Sequence, residues 1–119
     1  MKIHKTNGEL EVMLHQMKSA MEEKIILPVG VSYKIVKNRL AIEQALSAFR
    51  ALRDEIITRY SNGTGRVMET DENYEKVTVE MVQAAEQYTD VEICEIDISE
   101  LGEKELPLNV VSALGFMMK

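Results

Sequence analysis

The chain has 119 residues, 45% of them hydrophobic, with a net charge of -6 and one cysteine. That length fits a single domain with one modest core, and a lone Cys94 excludes an intramolecular disulfide. With only His4 and His15 beside it the donor set is too sparse for a structural zinc site, so no metal and no cofactor are expected. There is no charged-then-apolar leader and no apolar run of about eighteen residues, which predicts a cytoplasmic protein without a membrane partner.

The charge is unevenly spread. Residues 1–66 hold eleven Lys/Arg and seven Asp/Glu, a net +4, whereas residues 67–119 hold three and thirteen, a net -10. Two halves that fold on each other and partly neutralise account for this more simply than an acidic face aimed at a basic partner. The acidic total disfavours nucleic acid. Lys34, Lys37, Arg39, Arg50, Arg53 and Arg59 are interrupted by Glu43, Asp54 and Glu55, and no aromatic platform is interleaved with them.

In chain order, Met1 to Lys5 alternates Ile3 with polar neighbours and is a candidate edge strand in need of a partner. Thr6 and Glu9 stand at the three-residue offset of a capping box, and Leu10, Met13, Met17, Ala20 and Met21 follow at helical spacing, predicting an amphipathic helix to about Glu23. This methionine stripe reads first as core, because it would pack on the next helix. Its alternative use is an adaptable docking surface built from Met13, Met17 and Met21. Lys24 to Leu27 is a short connection to the stretch that dominates the chain, Leu27 to Asn62.

Ile35, Ile42, Phe49 and Ile56 recur every seven residues there, widened by Ala45, Leu46 and Leu52, which predicts one long helix from Ser32 to Tyr60, about 43 Å at 1.5 Å per residue. Pro28 and Gly30 form the entry turn, Ser32 is the expected N-cap, and Ser61-Asn62-Gly63 is the stop. The short link makes the two helices an antiparallel hairpin. Asn62-Gly63-Thr64 matches a glycosylation acceptor but reads as a turn, and the Gly-containing loop beside Arg66 lacks the spacing of a phosphate loop.

A third helix is expected from Thr70 to Glu72 onward, with Tyr74, Val77, Met81, Ala84, Ala85 and Tyr88 as its apolar stripe. Asp90 to Ile98 reads as a strand, with Cys94, Ile96 and Ile98 on one side and Glu95 and Asp97 on the other. Glu95 and Asp97 share a face, but no His or Lys is tied to them by spacing, so they read as a solvated face rather than an acid–base pair. Cys94 among isoleucines reads as a buried inert thiol. Gly102 breaks the strand, Pro107 opens a last short helix to Leu114, and Gly115 caps it. The apolar tail Phe116, Met117 and Met118 must be covered, by its own domain or by another chain.

The fold class is therefore α+β and mostly α: a long-helix antiparallel hairpin and a third helix, a two-stranded sheet pairing Met1–Lys5 with Asp90–Ile98, and a short C-terminal helix. No catalytic motif is present, so the chain is expected not to be an enzyme. The long helix, the Met stripe and the apolar tail together predict self-association as a symmetric dimer through the long helix.

Leu27-Pro28 before the long helix, the run SYKIVKN at its start, its exit from Arg53 to Tyr60 and the later VEICEIDISEL together resemble a functionally uncharacterised family of small proteins encoded by tailed phages and prophages of Gram-positive bacteria. The resemblance covers residues 1 to about 115 and lies in helix-hairpin and strand patterning. It implies a virion-assembly or accessory role, exercised by docking to other phage proteins in the host cell. The alternative is a phage-encoded inhibitor of a host defence system that binds a host protein or sequesters a small signalling molecule. Capture of an anionic molecule would need a basic pocket, for which Arg50, Arg53, Arg59 and Arg66 are the clustered candidates.

Overall fold

A computed structural model describes residues 1–23, 25–61, 63–102 and 105–119. Lys24 and Asn62, assigned above to connecting turns, lie outside the described residues. Among these the chain forms strand β1 (Lys2–Thr6), helices α1 (Asn7–Met21), α2 (Val29–Tyr60) and α3 (Tyr74–Ala85), strand β2 (Tyr88–Glu92) and helix α4 (Leu108–Leu114). Short 3-10 turns occupy Ile98–Leu101 and Gly115–Met117. The architecture is the mostly α form of α+β with one two-stranded sheet.

Thr6 ends β1 and starts α1. Its hydroxyl accepts the Glu9 amide at 3.1 Å and donates to the Glu9 carboxylate at 3.0 Å, which fixes where the chain changes period. Buried Asn7 then locks that corner: its side chain donates to the Ala84 carbonyl and accepts from the Thr89 hydroxyl, while its amide donates to the Gln87 carbonyl. One residue so joins α1, α3 and β2.

Helix α1 returns antiparallel along α2. Glu11 meets Arg50 and Arg53, and Lys18 meets Glu43, so contacts climb one helix while descending the other. Leu10, Leu14, Met17 and Ala20 face Ile35, Ile42, Leu46 and Phe49 in the core. Each such aliphatic side chain contributes about 1.5–3 kcal/mol by leaving water.

The start of α2 differs from the expectation at Ser32. The helix begins at Val29 with Pro28 as N-cap, and the amides of Val31 and Ser32 both donate to the Pro28 carbonyl at 3.0 Å. The proline ring holds φ near the helical value and its carbonyl begins the ladder, so no side-chain cap is required. Pro107 does the same for α4, accepting from Val110 and Val111, and is therefore the N-cap rather than a first-turn residue. At about 1.5 Å per residue the 32 residues of α2 span roughly 48 Å, most of the longest molecular dimension of 56 Å. Leu52, expected in the buried stripe, is exposed.

Helix α3 starts at Tyr74, not in the Thr70–Glu72 region. The Asp71 carboxylate accepts the Met68 amide and holds a turn there, and the Asn73 side chain reaches back to the Tyr60 carbonyl. Such local side-chain bonds compete with helix. Tyr88, assigned above to the third helix, lies in β2.

Strand β2 pairs antiparallel with β1, from Lys2 opposite Glu92 to Thr6 opposite Tyr88. The strand expected to Ile98 is shorter and ends at Glu92, after which the Met1 amino group and carbonyl meet the Ile93 carbonyl and amide. Beyond that point Asn38, buried in the first third of α2, takes over. Its Nδ2 donates to the Cys94 carbonyl at 2.9 Å and its Oδ1 accepts the Cys94 amide at 2.7 Å. The C-terminal tail then takes Ile96, whose amide donates to the Met117 carbonyl and whose carbonyl accepts from Lys119. Alternation slips by one residue on the way, so Val91, Ile93 and Ile96 are buried, Cys94 is half-buried and Ile98 is 62% exposed.

Met117 is fully buried and its sulfur accepts a second Asn38 hydrogen bond at 3.2 Å. Met117→Ala should cost about 2–5 kcal/mol by opening a cavity at this junction. Urea denaturation checks this, and a loss below about 1 kcal/mol would contradict the packing described.

Candidate functional site

The first third of α2 is apolar on two faces. Val31, Ile35, Asn38 and Ile42 point into the core, whereas Val29, Tyr33, Val36 and Leu40 form a second stripe at the same four-three-four spacing, offset by two residues and hence on the far side. These four are 86, 64, 43 and 51% exposed, and neighbouring Ile26 is exposed as well. Apolar side chains grouped in this way on a helix surface are the mark of a contact site. The flanks are basic: Lys37 sits over the Tyr33 ring at 5.5 Å, and Arg39 borders Val36 and Leu40 along the helix. Lys34 is occupied, donating to both Glu100 oxygens at 2.8 and 3.1 Å.

Beside this stripe, where α1 hands over to α2, a partly enclosed cavity of about 120 Å³ lies among Met17, Met21, Ile25, Leu27, Ile35 and Val36, with Glu23, Ser32 and Arg39 completing the wall. The Nε of Arg39 is buried with no acceptor. Among the described residues its guanidinium takes part in no ion pair, whereas Glu23 accepts from Asn109 at 3.4 Å.

Of the methionines singled out in the sequence, Met17 and Met117 are fully buried and belong to the chain's own core rather than to a surface that another chain could reach. Met13, Met118 and Phe116 are half-buried against that core, and Met21 is exposed at the mouth of the cavity. The tail is therefore covered largely by its own domain, because the extended segment at Ile96 provides the strand edge that it lies along.

The four clustered arginines do not converge. Arg53 donates to both Glu11 oxygens at 3.1 and 3.2 Å, Arg50 approaches Glu11 at 3.8 Å, and Arg59 pairs with Glu80 at 3.0 Å. Arg66 is exposed in the loop after α2. Opposite charges already hold three of the four, which leaves no basic pocket among them for an anion.

The acidic candidates are structural as well. Asp97 accepts the amide and hydroxyl of Ser99, and Glu100 accepts the Asp97 amide, so the two form a capping box around the Ile98–Leu101 turn. Glu95 is exposed. On the sheet, His4 Nδ1 lies 2.5 Å from Asp90 across the ladder and its ring stacks on Tyr88 at 4.5 Å, an exposed pairing that sequence spacing could not reveal. Tyr60 is held above the ordinary phenol value by the adjacent Glu80 carboxylate, so it stays protonated near neutral pH. No group of three or more His, Cys, Asp or Glu among the described residues is placed to hold a metal ion, and no described helix is long and apolar enough to cross a membrane.

Comparison with protein-family models, curated proteins and solved structures finds no match to this chain. The exposed stripe was legible in principle, since Val29, Tyr33, Val36 and Leu40 repeat at helical spacing. The orphaned Arg39 was not, because pairing depends on what the fold brings near.

The capping box carries a pH dependence. The Ser99 amide lowers Asp97, and the Lys34 ammonium lowers Glu100, below the usual carboxylate range. A depressed folded value means that the contribution is complete above the unfolded value, about 4, and is lost as pH falls through the folded one. The urea midpoint should therefore be level from about pH 7 to pH 5 and fall below about pH 4, with a smaller fall in Lys34→Met. An unchanged acid limb in that variant would contradict the assignment.

Proposed function

We propose that this chain is a non-enzymatic interaction protein, a phage or prophage accessory component, that docks a partner protein on the exposed face of the first three turns of α2. The observation that supports this reading most is the Val29–Tyr33–Val36–Leu40 stripe, which is laid out for pairing with another helix. The occupant that fits is an amphipathic helix with acidic flanks, because Lys37 and Arg39 border the stripe and neither takes part in an ion pair among the described residues. A second copy of this chain fits less well. Two such stripes related by a two-fold axis would set Lys37 and Arg39 against their own equivalents, and like charges across an interface are costly. The inhibitor reading by anion capture loses its support once Arg50, Arg53 and Arg59 are seen on Glu11 and Glu80.

A photo-crosslinking residue at position 36, in phage-infected cells, should join the chain to one acidic polypeptide of the phage particle. The adduct should disappear in Leu40→Glu, whose thermal midpoint should shift by no more than about 2 °C since the site is exposed. Equal crosslinking from position 79 on α3, or adducts only to a second copy, would overturn the reading.

A further inference from the structure

Val36 belongs to two features at once. It stands in the exposed stripe of α2, and it lines the cavity of about 120 Å³ beside that stripe. Ser32, Val36 and Arg39 line the cavity at four-three spacing, a row of α2 that adjoins the stripe and shares Val36 with it. Most of the remaining wall is carbon and sulfur, from Met17, Met21, Ile25, Leu27 and Ile35. Met17 and Ile35 are buried, whereas Met21 and Val36 are exposed, so the cavity runs from the core out to the docking face. A void in a close-packed interior forfeits the contacts that its lining atoms would otherwise make. An apolar group entering from the surface restores them, and interfaces concentrate their affinity in pockets of this kind.

We propose that this cavity is the anchor pocket of the docking face, and that it receives one uncharged aliphatic side chain, of leucine or isoleucine size, from the helix that covers the stripe. This role rests on the docking reading, whose partner helix it presupposes. Size sets the side chain: a dry apolar cavity of about 150 Å³ accepts benzene, so about 120 Å³ is short of an aromatic ring and suits a branched chain of roughly four carbons. Charge sets its neutrality, because Glu23 and Arg39 stand on the same wall and favour neither an anionic nor a cationic end inside. Position sets its source. A helix lying along Val29, Tyr33, Val36 and Leu40 passes the cavity at Val36, and helices docked in this way insert anchors spaced three or four residues apart. Lys37, outside the cavity, is left for the acidic flank of the same helix.

The test fills the pocket from within and leaves the stripe as it is. Ser32 lines the cavity and lies off the stripe, so Ser32→Leu occupies the space meant for the partner's side chain, whereas Ser32→Ala occupies none of it. An aromatic photo-crosslinking residue in place of Tyr33, on the stripe but not on the cavity wall, reports docking of the full-length chain in phage-infected cells. Ser32→Leu should lower the yield of the adduct with the acidic phage polypeptide about tenfold, and Ser32→Ala should leave it within about twofold. The new side chain should shift the Met17 methyl signal of chain carrying 13C-methyl methionine, and the thermal midpoint should not fall, since a void is being filled. If Ser32→Leu does not fold, or does not shift Met17, Met21→Trp covers the exposed mouth instead and should give the same loss. The attached segment of the partner should carry Leu or Ile within about one helical turn of the attachment point. Full yield in the variant that fills or covers the pocket, or a partner segment without such a residue, would overturn the anchor and leave the docking reading standing. No adduct from the native chain, or adducts only to a second copy, would overturn both.

Discussion

The fold turns on the pairing of the Asn38 side chain with the backbone of Cys94. An asparagine amide presents a donor and an acceptor in the same geometry as a peptide group, so Asn38 acts as a single rung of sheet projecting from the first third of α2. It acts where the β1–β2 ladder has ended, since among the described residues no strand pairs with Cys94. Without Asn38, the amide and carbonyl of Cys94 would be stranded beside the core, each at a cost of about 1–3 kcal/mol. With it, the segment from Ile93 to Asp97 is held in turn by the N-terminus, by α2 and by the C-terminal tail.

That arrangement explains how a long helix is anchored in a small domain. Helix α2 extends for most of the molecule and is packed by α1, α3 and β2. Ion pairs reinforce this pattern: Glu11 with Arg50 and Arg53, and Lys18 with Glu43, line the hairpin, while Lys34 with Glu100 and Arg59 with Glu80 join the basic first half to the acidic second half. As largely exposed pairs these contribute little stability individually, but they fix how the halves face each other. The start of α2 keeps its outer face apolar, and among the described residues its flanking Lys37 and Arg39 form no ion pair.

Much of this was legible in the sequence, and the failures have definite causes. The β1 edge strand, the Thr6 cap, the helical hairpin and the α4 helix followed from local patterning, which here agrees with the tertiary fold. The pairing of the two distant strands also followed, because each needed a partner and no other candidate was present. Ser32 has a side chain suited to a cap, but the Pro28 carbonyl already starts the ladder. Alternation in the sequence runs on through Cys94 to Ile98, whereas in the fold the Asn38 side chain pairs with Cys94 and absorbs one residue. The buried methionines were ambiguous between core and surface, since periodicity identifies a face and not what covers it.

Asn38 lies in the core stripe of α2 between Ile35 and Ile42, where a polar residue signals a required hydrogen-bond partner. The most direct measurement is amide hydrogen exchange at Cys94 in the native chain and in Asn38→Leu, which keeps volume and removes both bonds. Cys94 should be protected in the native chain, although no backbone ladder covers it. In the variant that protection should fall by at least about tenfold relative to Val91 in the sheet. Equal protection of Cys94 in both chains would contradict the account.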